Sequence, residues 1–360
     1  MEQLTQLSHK EFLKIDRDYS KAAKVADLVY VNDKSPGITR EKKSTGFVYL
    51  FNGKQIKDKT KIERIRKLAI PPAWTNVWIC PDENGHIQAT GLDARGRKQY
   101  RYHALWHNLR NETKFHRLFE FAKLLPALRL KMEEDLAKKE LCEEKVIATV
   151  ISCMERTYIR IGNDDYEKLY GSYGLTTLKD KHVKIEGDTI KFSFTGKKGI
   201  EQKITIRHKK LARMIKQCRD IPGKELFQYY DEQGGRHAVD SGIVNKYIKE
   251  ATGGDFTAKD FRTWAGTLNI LRAFCSLGEP ECDADCKKNV LAAMDEVSKK
   301  LGNTRTVCKK YYVHPGVVKL YEEKSLSKYL KELDNIEKED HLSGLTNDER
   351  VLKKILSDLV

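Results

Sequence analysis

Long apolar runs and metal-binding cysteine patterns are missing from this sequence. No stretch approaches the roughly 20 apolar residues that a membrane-spanning helix needs, and the first 19 residues are too polar for a secretory signal. The eight cysteines are scattered, unlike those of a small disulfide scaffold. Cys282 and Cys286 are four residues apart, but no second pair or nearby histidine completes a zinc set. We therefore expect an intracellular protein with reduced thiols, no membrane partner and no metal.

Sequence signals for nucleotide-driven chemistry are also absent. No phosphate-binding loop of the GxxxxGK[ST] form is present, because the GKKG segment at residues 196–199 is too short. No acidic cluster of the kind used by two-metal nucleases is visible. Repeats and low-complexity linkers are missing as well, which favours compact globular domains.

Positive charge is the dominant property of the composition. The chain has 67 Lys and Arg against 52 Asp and Glu, a net charge of +15 over 360 residues. Such an excess is typical of proteins that bind a polyanion, and nucleic acid more often than a membrane. From Tyr321 onward, however, seven Lys or Arg stand against ten Asp or Glu. A basic nucleic-acid surface is therefore expected in the preceding part of the chain.

The first 105 residues predict a β-rich domain. Residues 47–51 form an aromatic and β-branched run that ends at Asn52-Gly53, a strong turn pair. Three further candidate strands and one short helix follow, at residues 77–80, 86–90 and 99–103 and at residues 61–68.

Beyond residue 105 the apolar spacing becomes helical. Residues 115–125 predict a helix that Pro126 should end or kink, and a three-stranded pattern occupies residues 182–206. After residue 208 the pattern predicts helices to the end, with capping boxes at Thr257 and Thr346. The fold class is α+β. The predicted parts are a β-rich domain (1–105), a mainly helical catalytic domain with a small three-stranded sheet (106–321) and a helical tail (322–360).

Four residues in distinctive contexts suggest phosphate chemistry: Arg160, Lys197, Arg262 and Tyr312. Arginine forks match the oxygens of a phosphate. A tyrosine near positive charge can attack phosphorus, and a lysine can protonate the sugar oxygen that leaves. A lysine crowded by two arginines is a better acid near neutral pH. Together such residues would cut a DNA strand covalently without a metal.

The segments around these residues resemble one enzyme family. They are IPPAW (70–74) with GRKQYRYH (96–103), TYIRIGNDDY (157–166) with YGLTTLKDKH (173–182), FTGK (194–197), AKDFRTWAGT (258–267), and LGNT (301–304) with VCKKYYVHP (307–315). Their content and order resemble the small type IB DNA topoisomerases of poxviruses, giant viruses and some bacteria. The resemblance extends over roughly residues 35 to 320.

The resemblance implies a role for each residue of the set. Tyr312 would form a 3′-phosphotyrosyl bond, Arg160 and Arg262 would hold the phosphate, and Lys197 would protonate the 5′-oxygen. Asn303 would donate a hydrogen bond to a non-bridging oxygen. The catalytic domain would be tyrosine-recombinase-like, and the protein would clamp double-stranded DNA as a monomer, without ATP, metal or other cofactor.

The same resemblance implies DNA contacts outside the catalytic set. The candidates are Arg97, Gln99, Tyr100 and Tyr102 in the first domain and Tyr166 and Lys259 in the second. The sequence departs from the poxvirus pattern at Asn163 and Asp165, where those enzymes have lysines, and at Lys198, where they have an acid. A poxvirus-like sequence preference is therefore not assumed.

Two other functions remain possible from the residues. A tyrosine recombinase shares this chemistry, although such enzymes typically show His-x-x-Arg where this chain has Lys259 before Arg262. A non-enzymatic duplex-binding protein would explain the charge alone and would give Tyr312 no role. Salt-sensitive DNA binding is expected of all three.

Overall fold

The computed structural model describes residues 7–44, 46–329 and 344–360. It forms two compact units, one extending to Arg117 and one from Leu118 to Leu359. The division falls within one long helix, α4 (Ala104–Ala137). Each unit is described separately below.

The first unit is built on a six-stranded antiparallel sheet, which confirms the β-rich domain that the sequence predicted. In the order β3-β2-β1-β4-β5-β6, its strands are β1 (Ile38–Lys43), β2 (Gly46–Phe51), β3 (Lys54–Gln55), β4 (Thr75–Ile79), β5 (Ile87–Leu92) and β6 (Lys98–Tyr102). The predicted short helix is α3 (Lys59–Lys67). Two helices that the sequence interpretation did not include precede the sheet, α1 (His9–Arg17) and α2 (Tyr19–Val25).

Each face of this sheet supports a separate small core. Ile65 of α3 packs with Ile38, Val77, Ile79 and Ala89. A second core joins α1 and α2 to the first turns of α4, with Tyr102 packed against it. Because side chains alternate along a strand, β6 directs Tyr100 and Tyr102 to one face of the sheet and Gln99 to the other.

Helix α4 passes through Pro126 without ending, so the expectation that this proline could end the helix was wrong. A proline removes one backbone hydrogen bond and disturbs the preceding turn, at about 3 kcal/mol. Ala122, Leu125 and Leu128 flank it and are fully buried. Because burial of one leucine contributes about 1.5–3 kcal/mol, packing on both sides of Pro126 outweighs the defect.

The second unit is mainly helical and contains the predicted three-stranded sheet. This sheet is β7 (Val183–Glu186), β8 (Thr189–Thr195) and β9 (Glu201–Arg207), in sequential order. The helices after α4 are α5 (Glu143–Thr157), α6 (Asp164–Tyr170), α7 (Lys209–Arg219), α8 (Ser241–Thr252), α9 (Ala258–Leu277), α10 (Asp283–Leu301), α11 (Arg305–Tyr311), α12 (Pro315–Glu322) and α13 (Asn347–Leu359).

One prediction for the chain after residue 208 was wrong. A two-stranded hairpin, β10 (Gln228–Tyr230) and β11 (Arg236–Ala238), interrupts the helices. Strands of three residues are too short to show a period-two pattern, but the Gly234-Gly235 pair at the turn was a usable signal.

Helix α9 lies at the centre of the second unit. Nearly every residue from Ala258 to Phe274 is buried, and α13 packs against it. The predicted capping box at Thr257 and Asp260 is present, and the Thr346 backbone N–H donates to Glu349 at 2.9 Å.

Two features sought in the sequence are not found in the described parts of the chain. None of the helices placed there could cross a bilayer. No group of three His, Cys, Asp or Glu residues in residues 7–44, 46–329 and 344–360 could hold a metal, and Cys282 is exposed while Cys286 is buried.

Candidate active site

Arg160 lies in a loop whose path is fixed immediately after α5. Tyr158 ends α5 in the left-handed conformation, with φ 57°, and this turns the chain away from the helix axis. The Leu175 N–H then donates to the Arg160 carbonyl at 2.8 Å, and the Thr176 N–H donates to Ile161 at 2.7 Å. A Cβ at Gly174 would lie 2.6 Å from the Arg160 carbonyl oxygen, so this close approach requires glycine.

The Arg160 side chain reaches the turn between α10 and α11. Its Nη2 donates to Asn303 Oδ1 at 2.5 Å and to the Gly302 carbonyl at 3.3 Å. Burial, followed by repulsion from Arg262, lowers the pKa of Arg160 to about 10. The Arg160 guanidinium is thus partly shielded from water and lies near the positive charge of Arg262, and this environment favours binding of an anion.

Arg262 lies in the first turns of α9 and is only 6% exposed. Its guanidinium donates to the carbonyls of Tyr158 and, at 2.8 Å, Leu301. The carbon of the guanidinium is 5.1 Å from the centre of the Tyr312 ring. Its buried Nε has no hydrogen-bond partner within the described residues. Backbone from two segments therefore holds this arginine beside the tyrosine.

Tyr312 follows α11 and is held through its backbone. Its N–H donates to the Cys308 carbonyl at 2.9 Å, and its carbonyl accepts from Thr267 Oγ1 at 3.3 Å, a hydroxyl whose single proton is shared with the Thr263 carbonyl at 2.9 Å. A Cβ at Gly266 would lie 2.4 Å from the Tyr312 carbonyl oxygen, so α9 approaches this segment as closely as glycine allows. The ring is partly buried, whereas the neighbouring Tyr311 is 37% exposed.

Lys197 lies in the tight turn between β8 and β9, where Lys198 adopts φ 65°. The Lys197 side chain is exposed, yet its ammonium is 5.9 Å from the centre of the Tyr166 ring. Partial loss of water around the ammonium, followed by repulsion from Arg160, lowers the pKa of Lys197, while Tyr312 acts in the opposite direction. This lysine therefore shares one electrostatic environment with both residues.

Two of the three departures from the poxvirus pattern, Asn163 and Asp165, stabilise helix α6. The Asn163 side chain caps α6 by accepting from the Tyr166 N–H at 3.2 Å. Asp165 lies in the first turn, where a negative charge interacts favourably with the helix dipole. Both residues thus support the helix that carries Tyr166.

The structure brings Arg160, Lys197, Arg262, Asn303 and Tyr312 together, with Tyr166 beside the lysine. Lys259 lies at the start of α9 and is exposed.

The remaining candidates belong to the first unit. Arg97 donates to Asp93 at 2.8 Å and Gln99 donates to the same carboxylate at 3.1 Å. The hydrogen bond from Arg97 lowers the pKa of Asp93 to about 2. The rings of Tyr100 and Tyr102 stack 5.8 Å apart on the opposite face of β6.

Three residues that position the site were not singled out from the sequence: Gly174, Gly266 and Thr267. All three lie inside the matched segments, and a glycine one turn after Arg262 within a helix was an available signal. This signal could not show which backbone the glycine approaches, because Gly266 and Tyr312 lie 46 positions apart.

Comparisons with known proteins identify the family of this chain. The family described as "Eukaryotic DNA topoisomerase I, catalytic core" matches residues 103–340, and "Bacterial DNA topoisomerase IB, N-terminal domain" matches residues 46–93. DNA topoisomerase 1B of Acanthamoeba polyphaga mimivirus is 38% identical over 295 residues, covering 79% of this chain and 88% of that protein. DNA topoisomerase 1B of Vaccinia virus (strain Copenhagen) is 22% identical over 240 residues, covering 65% and 72%. The chain therefore belongs to the type IB DNA topoisomerases, a family of isomerases that act on DNA.

Proposed function

We propose that this enzyme relaxes supercoiled duplex DNA by cutting one strand through a 3′-phosphotyrosyl intermediate and then religating it. The observation that supports this most directly is the placement of Tyr312 beside Arg262 and within the electrostatic reach of Arg160 and Lys197. Three cations around one tyrosine match the needs of a phosphoryl transfer that proceeds without a metal.

The first step is capture of the scissile phosphate by Arg160 and Arg262. Arg160 uses only Nη2 for its two partners, which leaves the N–H groups of Nη1 and Nε to donate, and each bonded Nη of Arg262 retains a second N–H. Both side chains can therefore bind the phosphate without releasing these partners. Asn303 accepts from Arg160 through Oδ1, and its Nδ2 donates to the Leu301 carbonyl at 3.4 Å, which leaves one amide N–H to donate to a non-bridging oxygen. Negative charge that develops on these oxygens in the transition state would be stabilised by hydrogen-bond donors that are already in position.

Cleavage then exchanges one ester bond for another. The Tyr312 oxygen attacks phosphorus, the bond from phosphorus to the 5′-oxygen breaks, and Lys197 gives its proton to that oxygen. The phenolic proton leaves to solvent. Religation reverses the exchange: the 5′-hydroxyl attacks phosphorus and gives its proton to Lys197, while the bond from phosphorus to the Tyr312 oxygen breaks and that oxygen regains a proton from solvent. The lowered pKa of Lys197 suits a group that gives and regains a proton near neutral pH.

The energy for relaxation would come from torsion in the DNA, so the cycle consumes no ATP and uses no metal or cofactor. Between the two transfers the free 5′ end rotates about the intact strand. We propose that the first domain (1–105) contacts the duplex through Arg97, Gln99, Tyr100 and Tyr102, and the catalytic domain through Tyr166 and Lys259. The enzyme would act as a monomer, inside the cell with its DNA.

The test is relaxation of negatively supercoiled plasmid in EDTA without ATP, comparing the parent protein with Tyr312→Phe. Tyr311→Phe is the matched control, because it removes the same hydroxyl from the adjacent, exposed ring. We expect relaxation and a denaturant-resistant protein–DNA adduct from the parent and from Tyr311→Phe, and neither from Tyr312→Phe. Relaxation by Tyr312→Phe would place the nucleophile elsewhere. Tight binding without relaxation by any of the proteins would favour a recombinase or a simple binding protein.

A further inference from the structure

A cleft adjoins the candidate active site at Arg262, and the proposed reaction does not use it. It has a volume of about 310 Å³, and the residues that line it belong to the second unit, most of them to α5 and α9. Four of these residues are arginines. The apolar and aromatic part of the wall is formed by Met154, Tyr158, Phe261, Trp264 and Leu268. We call this space the α5–α9 cleft.

Positive charge in the α5–α9 cleft is only partly neutralised. Two of the four arginines are paired with carboxylates, in the ion pairs Arg129–Glu155, Arg129–Glu349 and Arg272–Asp348. The other two, Arg156 and Arg262, form no ion pair within the part of the chain that the structure describes. The buried Nε of Arg262 also has no hydrogen-bond partner there. An anion in the cleft would therefore be stabilised by two cations that no described carboxylate neutralises.

Arg156 has hydrogen-bond donors available for a planar anion. Its Nη1 donates to Ser152 Oγ at 2.9 Å and to the Ser152 carbonyl at 3.3 Å. Among the described residues nothing accepts from its Nε or Nη2, and Arg156 is exposed. These two groups form the side of a guanidinium that binds a carboxylate or phosphate through two parallel hydrogen bonds. Arg156 therefore presents an anion-binding fork at the cleft.

The apolar part of the wall suits an aromatic ring. Phe261, Trp264 and Leu268 line the cleft and are each no more than 5% exposed. Small-molecule sites typically occupy about 300–1,000 Å³ and combine apolar walls with a few placed polar groups. We propose that the α5–α9 cleft binds a small aromatic anion, with its carboxylate or phosphate on Arg156 and its ring against the apolar wall.

Such a ligand would act on catalysis through Arg262, and this step rests on the proposed function. Arg262 lines the cleft, and its guanidinium carbon is also 5.1 Å from the centre of the Tyr312 ring. A negative charge in the cleft would attract Arg262 and so weaken its hold on the scissile phosphate. Tyr158 connects the same two places, because it lines the cleft and its carbonyl accepts from Arg262. We therefore expect the ligand to inhibit strand cleavage.

The size of this inhibition follows from Coulomb's law. Two unit charges about 10 Å apart, at an effective dielectric constant of about 20, change an equilibrium constant roughly tenfold. Because the coupling is reciprocal, bound DNA should weaken ligand binding by the same factor.

Binding is measured first, by calorimetry on the full chain without DNA. The probes are 2-naphthoate and adenosine 5′-monophosphate, which separate a carboxylate ligand from a nucleotide. Arg156→Gln removes the unpaired charge, and Ala265→Leu fills part of the cleft. Lys288→Gln and Ala292→Leu are the matched controls, since they make the corresponding changes at exposed positions of α10. Urea denaturation checks that each variant is folded.

We expect at least one probe to bind the parent and both controls with a Kd below about 1 mM. Each cleft variant should bind that probe at least tenfold more weakly. Because one variant acts through charge and the other through space, either suffices if the other fails to fold. Lack of binding of both probes to the parent would overturn the proposal, and so would an equal loss in the controls.

The effect on catalysis is measured by single-turnover cleavage of a short duplex, with and without the probe that binds. A saturating concentration should slow cleavage by the parent about tenfold and cleavage by Arg156→Gln less than twofold. Unchanged cleavage by the parent with probe bound would overturn the claim that the cleft acts on Arg262. Failure of the parent to cleave without probe would instead reject the proposed function and leave the binding comparison intact.

Discussion

Replacing Gly266 with alanine is expected to slow strand cleavage about 100-fold while leaving the protein folded. The added Cβ would lie 2.4 Å from the Tyr312 carbonyl oxygen and 2.9 Å from the Tyr312 Cβ. Neither atom belongs to a flexible side-chain end, so the two segments must separate. Restoring an ordinary contact requires a shift of about 1 Å, and a misplacement of that size in a reacting group costs about 100-fold in rate.

Stability should change much less than the rate. Alanine is favoured over glycine within a helix by about 0.8–1 kcal/mol, whereas overpacking a core typically destabilises by about 1–3 kcal/mol. The two effects oppose each other, and we expect a net loss of about 0–2 kcal/mol in the free energy of unfolding. The deficit should therefore appear in catalysis by a folded protein.

The assay is single-turnover cleavage of a short duplex at saturating enzyme, with urea denaturation run in parallel. Gly242→Ala is the matched control, since it adds a methyl group to helix α8 where the nearest atom is the Asp240 carboxylate at 3.0 Å. Its cleavage rate should equal that of the parent. A Gly266→Ala enzyme that also cleaves at the parent rate would refute the claim that this contact positions Tyr312.

Three further outcomes are expected. Thr267→Val should slow cleavage more than it weakens DNA binding, because its hydroxyl bridges the Tyr312 carbonyl and the His314 N–H; equal losses in both assays would contradict this. Lys197 must be protonated to act as an acid and its pKa is lowered, so cleavage should fall as pH rises through a value below the usual ~10.4 of lysine. The Lys197→Ala variant should not show this fall of the cleavage rate with rising pH. Glu349→Ala should lower the free energy of unfolding by about 1–3 kcal/mol, because the buried Arg129 loses one of its two carboxylate partners and keeps only Glu155. In urea denaturation, adding Glu155→Ala should deepen the loss to about 3–5 kcal/mol, because Arg129 then has neither carboxylate.

The sequence predicted those features that depend on a pattern of neighbouring residues, such as apolar alternation or a capping box. The alternation over residues 182–206 predicted the three-stranded sheet, and a capping box marked the start of α9. The first helix, α1, was not included in the sequence interpretation, although it has a capping box at Ser8 and Glu11 and an amphipathic pattern with Phe12 and Ile15 on its buried side. The continuity of α4 through Pro126 could not be predicted, because it depends on burial of the flanking residues against other parts of the chain.

The candidate site also has features that a local sequence pattern shows and features that it does not show. Its chemical groups were identifiable because each lies in a short, distinctive segment, and the structure brings them together. The contacts that hold them in place join distant segments, as when Gly266 and Thr267 meet Tyr312 or Gly174 meets Arg160. No local pattern shows which backbone a given glycine will approach.

The ion pair between Arg129 and Glu349 joins a residue made early in synthesis of the chain to one made near its end. Glu349 accepts two hydrogen bonds from Arg129 across 220 positions of sequence and also one from Trp264, two residues beyond Arg262. When Tyr312 has left the ribosome, every proposed catalytic group has been made, but Arg129 still lacks this carboxylate. The nascent domain therefore reaches its full stability only after α13 has emerged, and a prematurely terminated chain would carry the catalytic residues in a domain prone to degradation.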